Sequence, residues 1–403
     1  MSSAPTAGPE SGRDAQHTAT GSLAGFDFDT PVDRRGTGSQ KWEKYAGHDI
    51  IPMWVADMDF RSPPAVIAAL QARVAHGVFG YTSAPPELAE SIVDHLAHDY
   101  GWRIEPQWIV WLPGLVTGLN LACLLAGEAG DAVITLTPIY PPFLSAPRHA
   151  QRECIRVPLL DDGARWVIDL HRLESSITAR TRMLLFCNPH NPVGRVYTQD
   201  ELQSIADLCL RHDLIVCSDE IHSGLVLDGD KRHHPMAALS PEIAACSLTL
   251  MAPSKTYNIP GLGMSFAVLS DVPLRQRLYQ AMAGFIPSVS ALGFTAALAA
   301  YRDAEAWRAA LLDYLRGNRD LVERHVAAMQ GLSMHHVEAT YLAWIDCRES
   351  GIADPHRFFE QAGVGLSDGR DFGNDGFLRL NFGCSRVLLG TALERMSAAL
   401  TRR

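Results

Sequence analysis

Several things are scarce in this 403-residue chain, and each absence closes a class of function. No two of its eight cysteines form a CxxC pair, so the sequence offers neither a zinc ribbon nor a disulfide framework. Scattered cysteines inside apolar runs read instead as reduced thiols of a cytoplasmic protein, and no metal site is expected. No long basic run occurs and the net charge is −10, which argues against nucleic acid as a partner. No apolar run approaches the roughly 18 residues of a membrane span, so no membrane partner is expected. The first 22 residues are rich in Ser, Ala, Thr and Gly and lack the apolar centre of a secretory signal. Residues 1–22 are therefore expected to form a disordered tail. No repeat is visible, and the length is too great for one simple core.

What is present is a rhythm. Apolar runs at 132–136, 183–187, 214–217 and 247–251 read as strands, and the stretches between them read as helices. Runs apolar on both faces and separated by helices predict a parallel sheet in an α/β fold. Helices are expected over 63–76, 86–100 and 114–128, with another opening at Thr198, where Glu201 completes a capping box. Beyond Pro273 the pattern is mostly helical, with a long amphipathic stretch over 304–330. Strands at 340–345 and 377–382, with helices around them, suggest a smaller α+β domain.

Each long-range clue sits at the end of a strand. Tyr140, Asn191, Asp219 and Lys255 follow the four apolar runs directly. In an open parallel sheet the crevice outside the carboxyl ends of the strands is where ligands bind. There Lys255 offers an amine for a Schiff base, Asp219 a carboxylate for a ring nitrogen, Asn191 a neutral donor and Tyr140 a flat stacking face. Together they describe pyridoxal 5'-phosphate, whose phosphate needs a helix start such as Gly114-Leu115-Val116-Thr117 and a hydroxyl such as Ser254. Taken singly, Lys255 reads as a surface lysine, Asp219 as a cap, Asn191 as a turn residue, Tyr140 as loop packing and His222 as structural. The ordered set requires every one of those plain readings to hold independently.

The motifs WVADMDF (54–60), FGYT (79–82), PGLVTG (113–118), CNPHNPVGRV (187–196), SDEIHS (218–223), APSKTYNIPG (252–261) and FLRLNFGCSR (377–386) resemble the MalY/PatB group of cysteine-S-conjugate (cystathionine) β-lyases. That group lies among the fold-type I, aspartate-aminotransferase-like pyridoxal-phosphate enzymes. The resemblance runs from about Phe26 to the C-terminus. It implies a large cofactor domain over 76–300, a small domain over 301–403, and an N-terminal segment, 23–75, packed with the small domain. It implies that Lys255 carries the cofactor, Asp219 meets the pyridine nitrogen, Asn191 the ring hydroxyl, and that Tyr140 stacks on the ring. His222 would also touch the cofactor. Ser254 and the backbone at Val116 and Thr117 would hold the phosphate, joined by Tyr81 of the partner subunit in a homodimer. Arg379 would clamp the substrate carboxylate with help from Asn191, and Trp54 and Asp57 would line the entrance.

Some positions depart from the group. The segment after the lysine reads Asn258-Ile259-Pro260-Gly261-Leu262-Gly263, a basic phosphate ligand is absent from this loop, and Ala339-Thr340-Tyr341 stands for a common Gly-Thr-Tyr. Leu366-Ser367-Asp368-Gly369 replaces a usual Leu-Asn-Asp-Gly, and Thr117 stands where proline is frequent. The expected reaction is β-elimination from an S-substituted L-cysteine, giving a thiol, pyruvate and ammonia. Transamination, a specialised or decarboxylating C–S lyase of natural-product chemistry, and a non-catalytic regulatory protein of the same fold remain open on the sequence.

Overall fold

The computed structural model describes residues 25–403. The expected tail, 1–22, lies outside them. The central sheet has seven strands in the order Ile109–Leu112, Ser265–Val268, Ser247–Met251, Ile215–Asp219, Thr181–Cys187, Ala132–Thr137 and Glu153–Pro158. Every neighbouring pair is parallel except where Ser265–Val268 runs antiparallel to both of its neighbours. Apart from the exposed Arg182 near the start of its strand, the strands Ala132–Thr137, Thr181–Cys187 and Ser247–Met251 are buried, which explains their apolar runs.

Two layers of helix cover this sheet. On one face the Leu115–Leu125 helix buries Leu119, Ala122 and Cys123 against Leu248 and Leu250. On the other, Gln199–Arg211 turns Leu202, Ile205 and Cys209 onto Leu184, Phe186 and Val216. Fully burying a side chain such as Phe186 contributes about 2–3 kcal/mol. The expected capping box is formed: Thr198 Oγ1 accepts from the Glu201 amide, while Glu201 accepts from the Thr198 amide at 2.9 Å.

A second core joins distant parts of the chain. The Glu305–Ala328 helix buries Trp307, Leu311, Tyr314 and Val322. They share a cluster with Phe28, Met53 and Phe60 from the N-terminal end and Leu378, Leu380 and Phe382 from the C-terminal end. A three-stranded antiparallel sheet, Leu342–Asp346, Phe377–Asn381 and Ser367–Asp368, lies against this helix. Ile51–Pro52 pairs in parallel with Val364–Gly365.

Two expected boundaries shift. The helix expected over 114–128 ends at Leu125, where Ala126 leaves helical geometry and Gly127 takes a positive φ of 63°. The strand expected from 340 begins at Leu342, because Thr340 has φ of 77° and cannot lie in an extended ladder. Its amide instead bonds the Leu225 carbonyl, and its hydroxyl accepts from the Leu342 amide.

All eight cysteines are free; Cys154 and Cys246 are half-buried and the other six are buried. Among the described residues no helix is long and apolar enough to cross a membrane.

Candidate active site

A cleft of about 740 Å³, counted out to its open mouth, lies at the carboxyl ends of the parallel strands. Tyr140, Asn191, Asp219, His222, Ser254 and Lys255 all face it. Four successive strands therefore deliver the expected polar groups to one place. Val116 lines the cleft at the start of the Leu115–Leu125 helix, whose first-turn amides lack helical partners; Thr117 lies one residue further on, outside the wall.

The electrostatics of the cleft follow from burial. The Lys255 amine is pushed down to about 8, because an enclosed ammonium is poorly solvated; Asp57 and Asp219 oppose that shift. Its Nζ donates to the Ala56 carbonyl at 2.6 Å. The Asp219 carboxyl is pushed up to about 7 by burial, partly offset by the Ile221 amide, which donates to Oδ1 at 3.1 Å, and by Lys255. A carboxylate so placed calls for a cationic partner. His222 is held neutral, down to about 3, by burial and by the charges of Lys255 and Arg379, and its Nδ1 has no partner among the described residues.

Arg379 comes from the middle of the Phe377–Asn381 strand and is buried. Burial pushes its guanidinium down to about 10. Nη1 donates to Asn191 Oδ1 at 3.0 Å, which ties the clamp expected for a carboxylate to the group expected for the ring. Nη2 donates to the Trp54 carbonyl at 2.8 Å, the guanidinium lies 4.7 Å over the Phe372 ring, and Nε has no partner among the described residues.

Other expected residues lie elsewhere. The Trp54 indole donates to the Lys41 carbonyl at 3.0 Å and lies under the Lys44 ammonium, so Trp54 reaches the site through its backbone. The Asp57 carboxylate is gripped by Arg34 at 2.7 Å. Ala56, between them, forms the cleft wall. Tyr81 is fully exposed on its own chain and does not line that chain's cleft.

The sequence reading assigned no part to several residues that shape the cleft. Tyr341 donates to the same Ala56 carbonyl as Lys255, at 3.0 Å. His190 bridges two strand-end loops: Nε2 donates to the Pro138 carbonyl at 2.8 Å, so Nδ1 accepts from Tyr197 at 3.0 Å. Burial holds its ring neutral, down to about 4. Glu220 is buried behind Asp219, accepting from Ser218, from the Met236 amide and from His233 at 2.7 Å. Membership in a motif was the only signal for His190 and Glu220; what they touch is set by loops far away in sequence.

The sheet, its strand-end cleft and the lysine within it define the class. The chain belongs to the aminotransferase class I and II family, whose model matches residues 48–396. Within that family it falls in the PatB/MalY group. Cystathionine beta-lyase PatB of Bacillus subtilis is 36% identical over 388 residues, covering 93% of this chain and 100% of the relative. Among solved structures, one described as OvoB superposes with a TM-score of 0.92 at 49% identity, covering 94% of this chain and 100% of that one. Cystalysin from Treponema denticola, whose crystal structure contains a pyridoxal 5'-phosphate cofactor, gives 0.89 at 32% identity, covering 94% and 99%.

Proposed function

We propose that this protein is a pyridoxal-phosphate-dependent C–S β-lyase that converts an S-substituted L-cysteine and water to a thiol, pyruvate and ammonia. The observation that carries this reading is the strand-end arc in which Lys255, Asp219 and Asn191 share one cleft with Arg379 bonded to Asn191. The cleft suits the cofactor. Asp219 is a buried carboxylate in want of a cation, Lys255 an amine with a lowered proton affinity, and His222 Nδ1 and Arg379 Nε are buried polar atoms without partners among the described residues.

When bound, pyridoxal phosphate supplies an aldehyde for the substrate amine and a ring that accepts the electron pair left at Cα. The residues divide the remaining work. Arg379 binds the substrate carboxylate, for which a planar fork is suited. Lys255 Nζ takes the Cα proton, and at a proton affinity near neutrality it serves as a base. Asp219 would keep the cofactor's ring nitrogen protonated. Tyr140 would stack on the ring and Asn191 would meet its hydroxyl, while the Val116 and Thr117 amides and the Ser254 hydroxyl would hold the phosphate. His222 closes the wall and excludes water. Loss of the thiol from Cβ follows, and hydrolysis of the remaining fragment gives pyruvate and ammonia.

We infer a homodimer in which Tyr81 crosses to the neighbouring site. Its support is the exposed apolar run Val78, Phe79 and Tyr81, which lone subunits rarely leave in water. Free, largely buried thiols suit a reducing, cytoplasmic setting.

The test is to mix cofactor-loaded protein with cystathionine and a panel of S-substituted cysteines, without any keto acid. Equal yields of pyruvate and thiol are expected. Transfer of the amino group without thiol release would replace this reading with an aminotransferase.

A further inference from the structure

Residues 53–60 run past the cleft, with Ala56 in its wall, as a strap whose backbone carbonyls are taken up one after another. Met53 accepts from the Asn381 amide at 2.9 Å, Trp54 from Arg379 and Ser367, and Ala56 from Lys255 and Tyr341. Thus one short segment touches both the amine and the guanidinium. The same segment is gripped by two asparagines, one from each side.

Asn258 lies three residues after Lys255. Its Nδ2 donates to the Met58 and Phe60 carbonyls at 2.9 and 2.8 Å, and its Oδ1 accepts from the Met58 amide at 2.9 Å. The backbone there has φ of 54°, a conformation asparagine tolerates better than most residues. Asn381 lies two residues after Arg379, on the same face of its strand. Its Nδ2 donates to the Val55 and Asp57 carbonyls at 2.6 and 2.7 Å, and its Oδ1 accepts from the Gly383 amide at 2.7 Å. Both N–H donors of each side-chain amide are engaged, and its oxygen accepts a backbone N–H. Aspartate has the same shape but would turn oxygens toward two carbonyls at either position. The bonds therefore require asparagine, and they form a continuous bridge: Lys255 loop, Asn258, strap, Asn381, Arg379 strand.

We propose that Asn258 and Asn381 are positioning residues that fix the separation of the Lys255 amine from the Arg379 guanidinium through the strap, Asn258 governing the amine end and Asn381 the clamp end. This rests on the proposed function, because the separation matters only when one substrate spans both groups. Misplacement by an ångström costs reactions about a hundredfold, so a covalently silent bridge of this kind has a measurable effect.

Two readouts separate the ends in the full-length protein. The first is the rate at which cofactor-free protein captures pyridoxal phosphate, followed by absorbance; this reports the amine. The second is the affinity of the loaded protein for L-alanine, followed spectrally; it has the carboxylate but no leaving group, so it reports the clamp without turnover. Asn258→Asp and Asn258→Gly should both slow capture by about tenfold and shift L-alanine affinity by less than about threefold. Asn381→Ser should weaken L-alanine by about tenfold and leave capture within about threefold. Melting temperatures are measured alongside.

Normal capture in a folded Asn258→Gly protein would overturn the proposal, since glycine keeps the backbone conformation and removes only the bridge. Equal losses in both readouts from both positions, tracking melting temperature, would also overturn it by reducing the asparagines to general stability. Should Asn381→Ser not fold, the Asn258 pair decides the question alone. Wild-type protein that captures no pyridoxal phosphate would remove the reading beneath the proposal, and an outcome of that kind is distinct from a failure of the bridge.

Discussion

The cleft has two walls built on opposite plans. On the sheet wall, Tyr140, Asn191, Asp219 and Lys255 present side chains from the ends of parallel strands. On the strap wall, residues 53–60 present backbone carbonyls, and their side chains turn elsewhere: Trp54 to Lys41, Asp57 to Arg34 and Asp59 to Lys41 at 2.8 Å. Asp59 shows how firmly that outer side is built. Burial pushes its carboxyl up, but Lys41, Trp42 and Arg34 together hold it below the usual carboxylate range. The difference teaches that chemistry placed in side chains can be exchanged residue by residue, whereas geometry placed in main-chain oxygens is changed only through whatever grips them.

The sheet wall should give the largest effects. Lys255→Ala should abolish turnover, a loss of at least about 10³-fold, together with the yellow colour of loaded protein. An active yellow variant would break the comparison at its strongest point. Asp219→Asn, which keeps shape and removes charge, should cost about a hundredfold or more in kcat while the protein still binds cofactor. Next in size is the group that joins the walls. Arg379→Lys loses the planar fork and its bond to Asn191, and kcat/KM should fall by about ten- to a hundredfold, mostly through KM.

A pH experiment sharpens the same contrast. Enclosure disfavours the charged form of Lys255, so its proton is released near pH 8 rather than at the ordinary lysine value. Only the neutral amine attacks an aldehyde. Capture of pyridoxal phosphate by cofactor-free protein should therefore level off above pH 8 and slow by about tenfold per pH unit well below it. A profile that keeps rising to pH 10 would mean an amine open to water. The smallest effect belongs to scaffold far from either wall. Thr198→Ala removes the capping box and should cost about 1 kcal/mol in a denaturant titration, leaving kcat unchanged.

The two walls were not equally legible in the sequence. Strands buried on both faces announce themselves as apolar runs, and the residue after each run is then placed by topology alone. Lys255, Asp219 and Asn191 were found in that way. Arg379 was assigned through its motif, because a single arginine in an alternating strand has no local signature. The strap resisted because a carbonyl has no letter in the sequence: nothing about Ala56 tells that its oxygen receives Lys255 and Tyr341. Asn258 and Asn381 were visible as letters, but their partners are about 200 and 325 residues away, at distances only folding closes. Thr340 misled for a local reason, since a β-branched residue next to an apolar run favours a strand, yet it takes φ of 77° and gives its amide to the Leu225 carbonyl, far away in sequence.

The buried thiols have a practical consequence at the bench. Burial pushes Cys123, Cys209, Cys347 and Cys384 up to about 12, and holds Cys187 and Cys217 well above the ordinary thiol value. Thiol reagents act on thiolates, so these six should be nearly silent to an aromatic disulfide dye while the fold is intact. With the half-buried Cys154 and Cys246 titrated first, the folded protein is then a quiet background against which a released small-molecule thiol can be followed continuously. Once the fold opens, the same six groups light up together, and one reagent reports product in one regime and loss of structure in the other.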